Sequence, residues 1–348
     1  MKRLLALIFT ISMICIATTP PDAAPGPARV VSDLPLGLPS FAGSDPAERS
    51  LVDFGEFLFE SSLLSADQSV SCSSCHVAKF GFADSHPLAI GIGGQIGRRR
   101  APPLFNLFNA KTLMLDGRAD SLKDQIHIPL ESPNEMAIDW ERSLKLLEDC
   151  PETKHLLATR TKTAFDRGLV LASLAAYVRT LVTGDSAFDR YYFNNDETAI
   201  SDDAKEGFRL FVRKGRCSGC HQVTGVSAML TDHNFHSTGI GFADGMYSDT
   251  GRFHVTGNEA DKGLFKTPSL RNAAQRPYFM HDGSMQSLRE VIDYYNRGGN
   301  HGAPNLDGRI QPLYMNETEI KEILAFLHTL DFEVVSYRPW LKVGADGH

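Results

Sequence analysis

Two short stretches decide the fold: Cys72-Ser73-Ser74-Cys75-His76 and Cys217-Ser218-Gly219-Cys220-His221. Each has the pattern C-x-x-C-H, the attachment signature of a c-type haem. Two thiols one helical turn apart can each add to a vinyl group of one porphyrin, and the adjacent imidazole is then held where it can bind the iron. The sequence therefore predicts two covalently bound haems, attached through Cys72, Cys75, Cys217 and Cys220, with His76 and His221 as axial iron ligands.

A zinc site and a redox-active dithiol are the alternatives for a C-x-x-C pair. Zinc sites made of two such pairs usually separate them by ~15–20 residues, whereas 141 residues lie between Cys75 and Cys217. A dithiol has no use for the histidine that follows each pair. Both observations favour haem.

Composition sets broad limits. The chain has 348 residues, enough for two domains, and 35 Lys and Arg against 42 Asp and Glu give a formal net charge of −7. An acidic protein is a poor partner for nucleic acid, so we expect none. Cys150, which closes a helical segment, is expected to be a buried, unreactive thiol.

The N-terminal residues 1–24 have the pattern of a secretory signal peptide. Lys2 and Arg3 precede an apolar run of 14 residues, Leu4–Ala17, which is shorter than the ~20 residues that span a bilayer. We therefore expect export to the periplasm and no membrane span. Residues 25–44, rich in Pro, Ala and Gly, are expected to form a flexible arm.

Apolar residues at helical spacing predict a mainly α fold with little β: two cytochrome-c-like haem domains with long loops. We place the domains at residues 45–195 and 196–335, with a tail at 336–348. Helices are expected over 141–158, 168–183, 286–296 and 316–330, and a long loop over 226–270. The segments 55–59 and 207–211 match each other, which suggests a weak internal repeat.

Further stretches follow each haem motif in a fixed order. After the first come Asn106–Asn109, Asp116–Ala119 and Glu131–Met136; after the second come Gly251–Phe253, Phe265–Asn272 and His281–Gly283. Together they resemble the bacterial di-haem cytochrome c peroxidase family, which includes the methylamine-utilisation enzyme MauG. The resemblance covers roughly residues 45–335. It implies a haem-dependent peroxidase whose N-terminal haem meets hydrogen peroxide and whose C-terminal haem handles electrons.

The sixth ligand of the second iron separates the members of that family. In the segment 287–295, Tyr295 shares an apolar stripe with Leu288 and Ile292, so we expect Tyr295 to point inward and Tyr294 outward. The resemblance to MauG implies that Tyr295 ligates the iron where ordinary peroxidases use Met. The alternatives are Met280 or Met285 as ligand, or a core Tyr anchored by its hydroxyl. A phenolate favours the higher-charged iron states.

Ordinary members cap the first iron with a His that this chain replaces by Ile92, and an alkyl group cannot ligate iron. His86 is an alternative ligand, although its offset favours a surface position. The resemblance therefore implies a five-coordinate first iron that is ready for peroxide. O–O cleavage needs a group that moves a proton; Glu135 matches the family's distal Glu and Gln125 a Gln that orients it, with His127 as an alternative.

Two departures from the family concern the space between the haems. Arg100 stands where an Asn helps to bind calcium, so calcium is doubtful. Leu115 stands where many members have a Trp that bridges the haems. Candidates for pairing with haem propionates are Arg99, Arg100, Arg118, Arg271 and His281, since guanidinium suits carboxylate geometry; a solvated basic patch is the alternative.

Three functions follow from these observations. The first is a MauG-like peroxidase that forms high-valent iron, shares the oxidising equivalents with a His/Tyr second haem, and oxidises an external donor such as side chains of a partner protein. The second is an ordinary peroxidase fed by a small cytochrome c. The third, a non-catalytic electron carrier, requires two six-coordinate irons, against which Ile92 argues.

Overall fold

The structure, a computed structural model, describes residues 29–31, 33–40, 49–159 and 164–338. The predicted signal peptide and residues 339–348 of the predicted tail lie outside the described residues. Helices are α1 (Arg49–Glu60), α2 (Cys72–Cys75), α3 (Leu122–Glu131), α4 (Trp140–Asp149), α5 (Pro151–Leu156), α6 (Arg167–Thr180), α7 (Ala187–Asn194), α8 (Asp202–Val212), α9 (Phe253–Thr256), α10 (Leu288–Asn296) and α11 (Glu317–His328). Strands are β1 (Arg29–Val31), β2 (Leu181–Val182), β3 (Phe235–Ser237), β4 (Phe242–Ala243), β5 (Met246–Tyr247), β6 (Leu264–Lys266) and β7 (Val335–Tyr337). The predicted mainly α fold is confirmed.

The helix predictions hold with two differences. The segment 141–158 forms two helices, α4 and α5, because Pro151 cannot continue α4 and instead begins α5. The segment 226–270, predicted as one long loop, contains strands β3 to β6 and helix α9. Within the described residues, no helix is both long and apolar enough to cross a bilayer.

Part of the predicted flexible arm is packed against the rest of the chain. Strand β1 pairs in parallel with β7, which also pairs with β2. Leu36 exchanges hydrogen bonds with Asp185, at 2.7 and 3.0 Å, and Leu38 is buried. The prediction of a flexible arm is therefore wrong for residues 33–40, because their backbone groups find partners in the segment that joins the two halves.

Each half is built on one pair of crossed helices, α1 with α6 and α8 with α11. The crossings rely on Gly55 and Gly207, at which an added Cβ would lie 1.9 Å from the carbonyl oxygen of Ser173 and of Glu322, respectively. Only glycine lets helix backbones approach this closely. The two matched segments, 55–59 and 207–211, therefore occupy equivalent positions in the two halves.

A second repeat, which the sequence analysis missed, follows the haem motifs at a spacing of 166 residues. Asn106 and Asn272 both have φ of 55°. Ser121 and Ser287 both cap a helix, α3 and α10, by accepting a hydrogen bond from a backbone N–H. Identical residues at this spacing are Pro102 and Pro268, Leu104 and Leu270, Asn106 and Asn272, Met114 and Met280, Asp116 and Asp282, Gly117 and Gly283, Ser121 and Ser287, Leu122 and Leu288, and Ile126 and Ile292.

The chain passes from the first apolar cluster to the second before α8 begins. Phe59 and Tyr177 lie in the first apolar cluster, with ring centroids 5.4 Å apart. Phe188 of α7 packs instead on Phe208 and Phe326, at 4.9 and 5.2 Å. Helix α7, which the predicted boundary at 195/196 placed with the first domain, thus packs with the second.

Hydrogen bonds related by the second repeat join the halves. The Arg100 N–H donates to the carbonyl of His281 at 3.0 Å, and the Lys266 N–H donates to that of Leu115 at 2.8 Å. The side chains of Arg100 and Lys266 also reach the other half, where they donate to the carbonyls of Tyr278 and Thr112, respectively. The regions that follow the two haem motifs therefore face each other directly.

Candidate active site

The first C-x-x-C-H motif folds as the short helix α2, which places Cys72 and Cys75 one turn apart. Nδ1 of His76 lies 3.1 Å from the carbonyl oxygen of Phe82, and since a carbonyl only accepts, Nδ1 carries the proton. Burial lowers the pKa of His76, so the ring is neutral. Nε2 therefore keeps its lone pair, the state that an iron ligand requires.

The second motif repeats this arrangement. Nδ1 of His221 donates to the carbonyl of Leu230 at 2.9 Å, and burial lowers the pKa of His221 as well. Phe82 and Leu230 both have φ of 55°, in a region that bulky residues rarely occupy. The same unusual turn thus orients both imidazoles, a feature the sequence analysis missed because nothing in either residue type announces it.

The thiols of both motifs are free for haem attachment. None of the four forms a disulfide bond, and Cys72 and Cys75 line one cavity together with His76. They are therefore available for thioether bonds to a porphyrin. The donor set at both motifs therefore fits two covalently attached haems.

Three side chains beside the second motif could bind a metal ion in the described part of the chain: Cys220, Asp232 and His236. The ring nitrogens of His236 lie 2.9 Å from Asp232 and 2.8 Å from Asp307. Both ring nitrogens of His236 therefore already have carboxylate partners, and Cys220 belongs to the haem-attachment motif. We do not assign a metal ion there.

A cavity of about 390 Å³ adjoins the first motif, within the size range of cofactor sites. Its wall is mainly apolar, with arginines gathered along one part. Helix α3 contributes Gln125, Ile126, Pro129 and Leu130, the segment 132–136 contributes Glu135 and Met136, and the segment 96–101 contributes Arg98, Arg99 and Arg100. The predicted Glu135 and Gln125 therefore face one space together with His76.

Glu135 is placed for proton transfer. Burial raises the pKa of its carboxyl above the ordinary value, against the opposing effects of the Arg118 charge and a hydrogen bond with Ser132. Oε1 of Gln125 is buried and has no hydrogen-bond partner among the described residues, so it can accept a hydrogen bond from a molecule in the cavity.

The structure offers few alternatives for a second protein ligand at the first iron. Ile92 donates its N–H to the carbonyl of Glu135 at 2.8 Å, and its side chain does not line the cavity. The His86 side chain is 53% exposed and lies beside Asp84. His127 lies 2.8 Å from Glu131 and does not line the cavity either. His254, which the sequence analysis missed, lines it from an exposed position on α9.

The propionate candidates separate into two groups. Arg100 and Arg118 line the first cavity; Arg118 is 34% exposed and pairs with Asp116 at 2.7 Å. Arg99 also lines it, and its guanidinium is bound to the same aspartate and, through two nitrogens, to Asp249. Burial disfavours ionisation of Asp249, yet the hydrogen bonds from Arg99 outweigh it and lower its pKa to about 2. Asp116 entered the sequence analysis only within the stretch Asp116–Ala119, and Asp249 was not singled out.

Arg271 does not suit a propionate. Its side chain is fully buried, and two of its nitrogens each lie 2.7 Å from an oxygen of Asp189, also fully buried. A third nitrogen donates to the carbonyl of Ala228. The guanidinium is thus committed to the core of the second half. His281 keeps an unpaired, buried Nε2, and its ring stacks on Phe265 at 3.8 Å.

At the second motif, Tyr295 shares the face of α10 on which Leu288 and Ile292 pack into an apolar cluster that also contacts Cys217. Burial raises the pKa of its phenol, and the neighbouring Tyr294, Cys217 and Cys220 act in the same direction. Tyr294 was expected to point outward, and that prediction is wrong. Its ring is buried and its hydroxyl donates to the carbonyl of Thr238 at 2.6 Å, because the segment before β4 covers that side of α10.

A fold with two crossed-helix halves, each carrying a C-x-x-C-H motif, defines a di-haem c-type cytochrome. Comparison with known proteins narrows the class. The profile of the di-haem cytochrome c peroxidase family matches residues 49–198. The chain is 37% identical over 292 residues to the methylamine utilization protein MauG of Methylorubrum extorquens, covering 83% of this chain and 80% of that protein. It is 31% identical to the cytochrome c551 peroxidase of Nitrosomonas europaea, covering 82% of this chain and 81% of that protein.

A solved structure of a MauG-like protein associated with microbial copper homeostasis superposes with a TM-score of 0.77 at 27% identity, covering 86% of this chain and 95% of that one. The chain belongs to the di-haem cytochrome c peroxidase family. It is a haem-dependent oxidoreductase of the peroxidase type, and membership implies two c-type haems. The resemblance drawn from the sequence is confirmed.

Proposed function

We propose that this enzyme is a MauG-like peroxidase. It uses hydrogen peroxide at the first haem site, shares two oxidising equivalents with a His/Tyr second site, and oxidises an external donor, such as side chains of a partner protein. The observation that carries the proposal is Tyr295, which lies on the face of α10 that packs into the same apolar cluster as Cys217 of the second motif. The chain's similarity to a MauG protein at 37% identity supports it.

The residues around each haem have defined roles in this proposal. Cys72 and Cys75 would hold the first haem and Nε2 of His76 would bind its iron; Cys217, Cys220 and His221 would do the same at the second. The haems, when bound, supply the redox chemistry that reduces peroxide to water. Tyr295 would give the second iron a further protein ligand, and its phenolate would stabilise the oxidised iron.

Proton transfer falls to Glu135. Its carboxylate takes a proton from hydrogen peroxide and delivers it to the departing oxygen, which leaves as water. Burial of Glu135 supports this role because a carboxylate with a raised pKa is a stronger base and takes a proton from peroxide more readily than an exposed one. The orphaned Oε1 of Gln125 accepts a hydrogen bond from the peroxide and so orients it.

The surroundings complete the proposal. The signal-like N-terminus places the enzyme in the periplasm, where c-type haems are attached. Arg100 brings a permanent positive charge to the contact between the halves, where it donates to the carbonyl of Tyr278. We infer that this charge replaces calcium, so the enzyme does not need that ion.

Electron paramagnetic resonance of the oxidised holoenzyme tests the proposal. We expect one high-spin and one low-spin ferric signal, both fading with one equivalent of peroxide. Tyr295→Phe should alter the low-spin signal, whereas Tyr294→Phe, the matched control, should leave it unchanged. Two low-spin signals indifferent to peroxide would refute the open first site, and an unchanged spectrum in Tyr295→Phe would leave Met280 or Met285 as the ligand.

An ordinary cytochrome-fed peroxidase is the second candidate, because the chain is also 31% identical to a cytochrome c551 peroxidase. Steady-state assays with a reduced small cytochrome c and peroxide separate the two functions. Rapid turnover would favour the second candidate. Slow turnover, together with oxidation of tyrosine or tryptophan side chains on a partner protein, would favour the first.

A further inference from the structure

Trp140 packs on the apolar cluster that supplies part of the wall of the first cavity, although it is far from both haem motifs in the sequence. It begins α4 and packs on the first apolar cluster. The backbone leading to it is hydrogen-bonded to α3, from Ile138 N–H to the Leu130 carbonyl at 2.7 Å and from Met136 N–H to the Pro129 carbonyl at 3.2 Å. Pro129, Leu130 and Met136 all line the cavity. A short path of bonds and hydrogen bonds therefore connects the indole with the first haem site.

The polar groups around this indole all contact one carboxylate oxygen, Oε1 of Glu131. Nε1–H of Trp140 donates to Oε1 of Glu131 at 2.9 Å. The same oxygen lies 2.8 Å from Nε2 of His127 and 2.8 Å from a guanidinium nitrogen of Arg167. The side chains of His127, Glu131 and Arg167 are 35%, 39% and 44% exposed, so the cluster reaches the protein surface. None of these contacts is needed for peroxide to enter the cavity.

We propose that Trp140 is a surface oxidation site through which the first haem site oxidises phenolic donors too large to enter the cavity. The proposal rests on the proposed function, which supplies the oxidant. In each relay step the indole gives one electron to the oxidised first site and its N–H proton to Glu131. Glu131 then releases that proton to solvent, and the first site takes up one proton from solvent for each electron it gains. A phenol at the surface then returns one electron and one proton, becoming a phenoxyl radical. Two phenols are oxidised for each peroxide, which is reduced to two waters.

The arrangement of charges makes Glu131 essential to this step. The guanidinium of Arg167 lies over the indole ring, 4.9 Å from its centroid. A cation in that position stabilises the neutral, electron-rich ring and destabilises a positively charged indole radical. Oxidation is favourable only if the ring loses its proton at the same time, and Glu131 is the base in hydrogen-bond contact with that proton.

The test compares holoenzyme variants with dextran-linked tyramine, a phenol that cannot enter the cavity. Trp140→Phe keeps an aromatic ring in the cluster, and Tyr314→Phe, at an exposed aromatic residue away from the cavity, is the control. We expect Trp140→Phe, which removes the relay residue itself, to slow oxidation of the polymer-bound phenol about 100-fold or more. Glu131→Gln, which keeps an acceptor but cannot take the proton, should slow it about 100-fold, the lower range of a lost general base. The control should match the wild type.

Two further readouts separate the relay from the proposed function. Stopped-flow haem absorbance should show that Trp140→Phe reacts with peroxide at the wild-type rate. Peptide mass spectrometry after peroxide without donor should find oxygen added to Trp140 in the wild type. Wild-type oxidation of the polymer by Trp140→Phe, or an unmodified Trp140, would overturn the relay. A wild type inert to peroxide would overturn the proposed function and the relay with it.

Discussion

Substituting Gly55 or Gly207 by Ala tests whether the crossed helices hold each half together. A Cβ at Gly55 would lie 1.9 Å from the Ser173 carbonyl oxygen, about 1.1 Å inside the 3.0 Å limit that real Cβ atoms keep. It would also lie 2.9 Å from Cβ of Tyr177. Since the first obstacle is backbone, no rotamer change can relieve it, and α1 must move away from α6.

The magnitude follows from two opposing effects. Overpacking a core costs about 1–3 kcal/mol, and a backbone clash belongs at the upper end. Ala favours helix over Gly by about 1 kcal/mol. We therefore expect a net loss of about 2 kcal/mol in the free energy of unfolding. With a urea slope of about 2 kcal/mol/M, the midpoint should fall by about 1 M.

Urea unfolding of the holoenzyme, followed by haem absorbance and far-ultraviolet circular dichroism, measures this effect. Gly207→Ala should behave alike, because its Cβ would lie 1.9 Å from the Glu322 carbonyl oxygen. Gly225→Ala is the control, since no atom lies within 4 Å of the added Cβ. A midpoint for Gly55→Ala equal to that of the wild type or above it would refute the assignment of the crossing.

Two further predictions concern buried charges. Glu135→Gln should slow the reaction with peroxide about 10²–10⁴-fold; in the wild type the rate should fall as pH falls through the raised pKa of Glu135, because only the ionised carboxyl accepts a proton. Stopped-flow measurements of this rate against pH check the prediction, with Glu141→Gln, at an exposed glutamate, as the control. If the rate of Glu135→Gln fell at low pH as the wild-type rate does, Glu135 would not be the base. Asp189→Asn leaves the buried Arg271 unpaired and should cost about 3–5 kcal/mol of stability. Urea denaturation checks this against Glu317→Gln, at a surface pair expected to leave the midpoint unchanged; an equal midpoint in both variants would show that the buried pair is dispensable.

The sequence was most informative about features that depend on residues close together in the chain. A C-x-x-C-H motif carries its own spacing, and apolar periodicity was sufficient to predict a mainly α chain. It could not predict the carbonyls that orient the two imidazoles, since Phe82 and Leu230 occupy positive φ for reasons set by their surroundings. Nor could it separate Arg271 from the arginines of the cavity, because its partner Asp189 lies 82 residues away. Tertiary partners decide such roles.

Tyr294 shows the same limit within one helix. The stripe of Leu288 and Ile292 indicates one buried face of α10, and Tyr294 lies beyond its edge. The loop that begins at Thr238, 56 residues earlier in the chain, covers this second side and so buries the ring. Helical periodicity reports the face turned toward the nearest core, and says nothing about a loop that returns over the opposite face.

The second repeat gives a physical reason for unlike haem sites in a duplicated fold. Helices α3 and α10 begin at the equivalent capping residues Ser121 and Ser287, and the repeat then pairs Pro129 with Tyr295. Pro129 lines the first cavity and carries no donor atom. Tyr295 brings a hydroxyl beside the second motif. In the proposed function, this helix position offers no ligand to the first iron, which stays accessible to peroxide. At the second iron the same position offers a phenol. The difference between Pro129 and Tyr295 therefore helps to separate peroxide binding at the first site from storage of oxidising equivalents at the second.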